Sequence, residues 1–118
     1  MWLAVPIERA GLVQGTLEML ILKTLALQPL HGYGIGLRIE QISGSVFKVK
    51  PGSLFPAFRR LERDGLIKPE WHASENNRRA KYYALTKQGR RRLKHETQEW
   101  ETQTAAIARI LAASTGEL

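Results

Sequence analysis

A mainly α-helical fold with a small β hairpin and a long closing helix is what this 118-residue sequence predicts, on three observations. Apolar residues recur at helical spacing in three short segments before residue 65, each bounded by a cap or a stop signal. Two segments rich in strand-forming residues, 67–71 and 79–85, flank a polar, turn-rich connection. From Lys87 a helical pattern without proline continues to about Ala112.

Composition is compatible with that class and narrows the chemistry. With 43% hydrophobic residues and a net charge of +7, the chain reads as one small soluble domain with a modest core. It has no cysteine, which excludes disulfide frameworks and thiolate metal sites and makes the cytoplasm the default location. The opening MWLAVPIERA has Pro6, Glu8 and Arg9 where an export signal needs an unbroken apolar stretch, so no such signal is expected. The apolar run from Leu17 to Leu27 is interrupted by Glu18 and Lys23 and is too short to span a bilayer. It reads as a buried helix, and no membrane partner is expected.

The elements follow in order. The first helix runs from Leu12 to Leu27 and must stop at Gln28-Pro29, because proline disfavours helical geometry in the residue before it. The turn Leu30-His31-Gly32 leads to a second helix with Ile35, Ile39 and Ile42 in one stripe and Ser43-Gly44 as its stop. Val46 to Val49 reads as a brief β segment before Lys50-Pro51-Gly52. Ser53 reads as the N-cap of a third helix, which would put Pro56 at a position whose amide has no helical partner in any case. At about 100° per residue, Leu54, Ala57, Phe58 and Leu61 share one side and Pro56, Arg59, Arg60 and Arg63 the other. Asp64-Gly65 ends this helix, with Gly65 free to take the left-handed conformation.

Ile67–Trp71 and Arg79–Leu85 then form a two-stranded hairpin whose basic tip includes Asn76, Asn77 and Arg78. Thr86 is the N-cap of the last helix, where Leu93, Thr97, Trp100, Thr104, Ile107 and Leu111 make a heptad seam. Packing onto helix one and pairing with a second chain both explain that seam.

Charge connects this plan to a function. Between residues 47 and 95 the chain holds fourteen of its 18 Lys/Arg but only four of its 11 Asp/Glu. A surplus gathered in one stretch points to a polyanion, although a basic surface kept for solubility has the same composition. Three short helices and a two-stranded hairpin make the winged helix-turn-helix plan, in which helix three enters the DNA major groove and the hairpin follows the backbone. Arg59, Arg60 and Arg63 have the spacing to read guanine or clamp phosphate. For Arg63, next to Asp64, a plain surface charge is the simpler role. Lys50 and Ser53 at the helix entry, and Asn76, Asn77, Arg78, Arg79 and Lys81 in the hairpin, offer donors for phosphate.

Other chemistry finds no constellation. His31, His72 and His95 stand in separate elements without metal-ligand spacing, and no nucleophile elbow, phosphate loop or HExxH motif occurs. No enzyme and no cofactor are expected. The competing reading is a winged-helix protein-interaction module that has lost DNA binding.

Four stretches, HGYGI, GSLFPAFRRLERDGLI, NNRRAKYYALTKQGRRRL and EWETQTAAIARIL, occur in an order that closely resembles the PadR family of bacterial transcriptional regulators, in its short form with one C-terminal helix. The resemblance covers Leu12 to Leu111. It implies a winged helix-turn-helix DNA-binding domain over residues 1–85 and a dimerisation helix over residues 86–118. It further implies a homodimer on an inverted-repeat operator in double-stranded DNA, acting as a repressor released by a small effector. By position, Ser53, Phe55, Pro56 and Arg59 match recognition-helix contacts, Asn77, Arg78, Arg79 and Lys81 match the wing, and Tyr33 matches a tyrosine near the backbone. The family usually has tyrosine where this chain has Phe55, so a hydroxyl that could bind phosphate is missing. Trp100 matches an aromatic position where some relatives bind flat aromatic compounds, and plain interface packing is the simpler role for it.

Overall fold

The computed structural model describes residues 16–73, 76 and 78–117. The expected first-helix residues before Thr16 and the expected contact Asn77 lie outside them. The elements are α1 (Thr16–Leu27), β1 (Leu30–His31), α2 (Gly32–Ile42), α3 (Pro51–Arg63), β2 (Ile67–Ala73), β3 (Arg79–Leu85) and α4 (Lys87–Ala112), with a closing 3-10 turn at Thr115–Glu117. Among the described residues no helix is long and apolar enough to cross a membrane.

The core forms where three helices meet the base of the sheet. Ile21, Leu22 and Leu25 of α1, Ile35 and Ile39 of α2, and Leu54, Ala57, Phe58 and Leu61 of α3 pack with Leu66, Ile67, Tyr83 and Leu85. The side of α3 expected to be apolar is buried in full, and the Phe58 ring lies 5.0 Å from that of Tyr83. Ile42 departs from its expected stripe: as the last residue of α2 it is 64% exposed, whereas Ile39 one turn earlier is buried.

The sheet has three antiparallel strands in the order β1-β3-β2, not two. Leu30 pairs with Tyr83 and His31 with Tyr82, so the segment expected as a turn is an edge strand. Val46–Val49, expected as a brief β segment, forms no strand. His31 also caps α2, its Nδ1 accepting a hydrogen bond of 3.0 Å from the Gly34 amide.

The start of α3 is corrected as well. Its N-cap is Lys50, with Pro51 in the first turn, where the missing amide costs nothing. Ser53 is already helical and Pro56 lies inside the helix, so the Gly52 carbonyl loses the donor that a non-proline residue would bring. Local cap preference gave way to the stronger signal, proline at the first position. The other end follows the sequence: Asp64 is the C-cap and Gly65 has φ +74°.

Thr86 locks α4 onto the rest of the domain. Its hydroxyl accepts from the Gly89 amide at 3.0 Å and donates to the Gly65 carbonyl at 2.7 Å. A Cβ on Gly89 would collide with the Leu66 carbonyl and lie 2.6 Å from Leu85 Cδ1, so only glycine allows this close approach.

Candidate nucleic-acid interface

With its apolar side buried, α3 turns Arg59, Arg60 and Arg63 outward, all exposed. They are not equivalent. Arg60 Nε lies 3.7 Å from Glu18 Oε2 of α1, and Arg63 Nε lies 3.1 Å from Asp64 Oδ1. Among the described residues no carboxylate pairs with Arg59. Exposed ion pairs contribute at most about 1 kcal/mol, so Arg60 and Arg63 are restrained rather than consumed. Arg59 carries its full set of guanidinium donors into solvent.

Phe55 and Tyr33 belong together. The half-buried Phe55 ring meets Tyr33 edge-on at 5.6 Å and Phe58 at 5.2 Å. This chain of rings joins the core to Tyr33, which is 64% exposed at the first turn of α2. Phe55 therefore supports Tyr33, and the phenol of Tyr33 is the hydroxyl at this spot. Lys50 is exposed as the N-cap of α3, while Ser53 and Pro56 are half-buried. The Ser53 amide donates to the Lys50 carbonyl at 2.9 Å, so the helix entry has fewer free amides than a Ser53-capped helix would offer an anion.

The wing is β2 and β3, paired from Ile67↔Leu85 to Ala73↔Arg79. Lys81 Nζ lies 3.7 Å from Glu62 Oε1, which ties the wing to α3, and 5.2 Å from the Tyr83 ring centre. Its charge is partly answered within the chain. Arg79 lies over Trp71, its Cζ 4.8 Å from the ring centre. Asn76 and Arg78 are exposed at the tip. On the opposite face Tyr82 stacks on His72 at 4.4 Å and meets His31 edge-on at 5.6 Å. Tyr82 and Tyr83 are thus packing residues of the sheet. Trp71 and the His31 cap were not singled out from sequence. The register of the hairpin would have revealed the first, since Trp71 faces Lys81 and Arg79 is its diagonal neighbour.

The seam of α4 divides in two. Leu93, partly buried, packs against the core of its own chain. Thr97, Trp100 and Thr104 are half-buried, and the Thr104 hydroxyl bonds back to the Trp100 carbonyl at 2.9 Å. Beyond them Ile107, Ile110 and Leu111 are 53%, 73% and 80% exposed.

The stretch that carries most of these groups, residues 21–95, matches the family described as "Transcriptional regulator PadR-like family". Over 79 residues, 67% of its length, the chain is 43% identical to an uncharacterized 37.1 kDa protein in transposon TN4556 of Streptomyces fradiae, of which the match spans 21%. A transcriptional regulator from Clostridium thermocellum is 30% identical, with a TM-score of 0.74 over 81% of this chain and 93% of that one. A PadR family transcriptional regulator from Eggerthella lenta is 28% identical, with a TM-score of 0.74 over 91% of each chain.

Proposed function

We propose, from the premise that this chain belongs to the PadR-like family of transcriptional regulators, that it acts in the cytoplasm as a homodimeric repressor on an inverted-repeat operator in double-stranded DNA. Residues 1–85 form the DNA-binding domain and residues 86–118 the dimerisation helix. On this reading α3 enters the major groove with Arg59 reading a base edge, Arg60, Lys50 and Ser53 face phosphates, and Tyr33, on its Phe55 support, meets the backbone. Arg78 and Arg79 of the wing, with the tip asparagines, follow the adjacent strand. The exposed end of the α4 seam, Ile107 to Leu111, joins the partner. Release by a small aromatic molecule bound near Trp100 is the regulatory part of the same proposal.

The observation that carries it is Arg59: exposed on a helix whose other side is fully buried, and without a carboxylate partner among the described residues. A module that had lost DNA binding would present an apolar or acidic face there. The test is binding of the chain to the intergenic duplex beside its own gene and to a random duplex, across a salt series. Arg59→Ala loses about 1–3 kcal/mol on the specific duplex and much less on the random one. Equal losses on both would remove base reading by Arg59, and salt-independent binding would remove the interface.

A further inference from the structure

Trp71 has no place in the core and none in the sites assigned above. It is 54% exposed on β2, a large apolar surface left in water at the point where the sheet leaves the core. Its surroundings are specific. In the β2–β3 register Trp71 faces Lys81, and Ala73 faces Arg79, so Trp71, Lys81 and Arg79 share one face of the wing. At its base this face holds the buried Ile67, Tyr83 and Leu85, and midway Lys81 reaches Glu62 of α3. Trp71 and Arg79 therefore lie on the α3 side of the wing, one step further toward the tip. There the Arg79 guanidinium rests 4.8 Å from the Trp71 ring centre.

The kind of contact matters. A carboxylate that fixes an arginine uses its N–H donors and cancels its charge, as Asp64 does with Arg63. An aromatic face attracts the cation through the ring quadrupole and uses no N–H donor. Ordering a long side chain on binding costs conformational entropy, so a guanidinium ordered beforehand binds with less loss.

We infer that Trp71 is a positioning residue of the wing: it holds the Arg79 guanidinium, donors free, beside α3, ready for a phosphate of the duplex that α3 enters. This rests on the DNA-binding reading and adds to it a residue that carries no charge and donates to no phosphate itself.

The test is a double-mutant cycle on the full chain, with affinity for the operator duplex measured by fluorescence anisotropy over a salt series and folding checked by thermal melts. Trp71→Ala weakens binding about 2- to 5-fold with an unchanged salt slope, because no charge is removed. Trp71→Phe restores most of the loss. Arg79→Ala weakens binding and lowers the salt slope by about 0.9, the value of one phosphate contact. In the Arg79→Ala background, Trp71→Ala has no further effect. A Trp71→Ala chain that binds as the parent does, or a loss that persists undiminished without Arg79, would overturn the positioning role and leave the DNA-binding reading intact. A parent chain that binds no duplex would overturn both.

Discussion

α3 and α4 are both amphipathic helices, and the fold treats them in opposite ways. The apolar stripe of α3, Leu54, Ala57, Phe58 and Leu61, is covered by its own chain, at 2% exposure or less. The chemistry that remains on α3 is its cationic side. In α4 the same covering stops early: Gly89 is buried and Leu93 half-buried, but Leu111 is 80% exposed. At its C-terminal end α4 instead leaves Ile107, Ile110 and Leu111 in water. The outer side of α3 thus presents charge to solvent and the end of α4 presents hydrocarbon.

The largest expected effect tests whether α3 is truly satisfied from within. Phe58→Ala removes the ring between Phe55 and Tyr83 and costs about 3–5 kcal/mol in chemical denaturation. Its neighbour Arg59→Ala stays within about 0.5 kcal/mol. Similar losses in the two variants would erase the distinction between the two sides of the helix.

The matching test on α4 is Ile107→Asp combined with Leu111→Asp. Both residues are exposed in the single chain, so helix content by circular dichroism is retained. In sedimentation the proposed dimer dissociates at least about tenfold more readily, a change of roughly 1.4 kcal/mol. An unchanged sedimentation profile would mean that the exposed end of α4 is not where two chains meet.

A smaller effect sharpens the α3 side. His31→Ala removes the cap of α2 and costs about 1 kcal/mol, and His31→Asn restores most of it. Equal stability of the alanine and asparagine variants would show that the imidazole acts through Tyr82 packing and not as a cap.

The smallest effect concerns the turn where α4 still touches α1. Burial raises the Glu96 carboxyl above the ordinary carboxylate range, against the attraction of Arg92 and with repulsion from Glu18 and Glu99 adding to it. The folded chain then holds that proton longer than the unfolded chain, so this group's contribution to stability falls as pH rises from the ordinary carboxylate value through the raised one. Glu96→Gln removes that decline. Denaturation midpoints that vary with pH equally in both chains would place Glu96 in open solvent.

How much was legible from sequence differs in the same way between local and distant features. The burial of Leu54, Ala57, Phe58 and Leu61 follows from spacing, the positive φ of Gly65 from its place after a helix, and the Thr86 cap from the residue type before Lys87. Pairing partners did not follow. Nothing within a few residues of Leu30 and His31 announces that Tyr83 and Tyr82 lie beside them, some fifty positions away. Nor does local order reveal that Glu18 answers Arg60 while Arg59 is left without a carboxylate among the described residues.

The sequence by itself determined the four helices and the β2–β3 hairpin in their order, the cationic face of α3, and where α3 and α2 stop. These depend on the period of a helix and on backbone preferences, which act over a few residues. Only the tertiary structure decided which arginine keeps its donors, that Arg79 rests on Trp71, and how far along α4 the core reaches. Those outcomes depend on surfaces and charges brought together from distant parts of the chain, and their energies exist only once the chain has closed on itself.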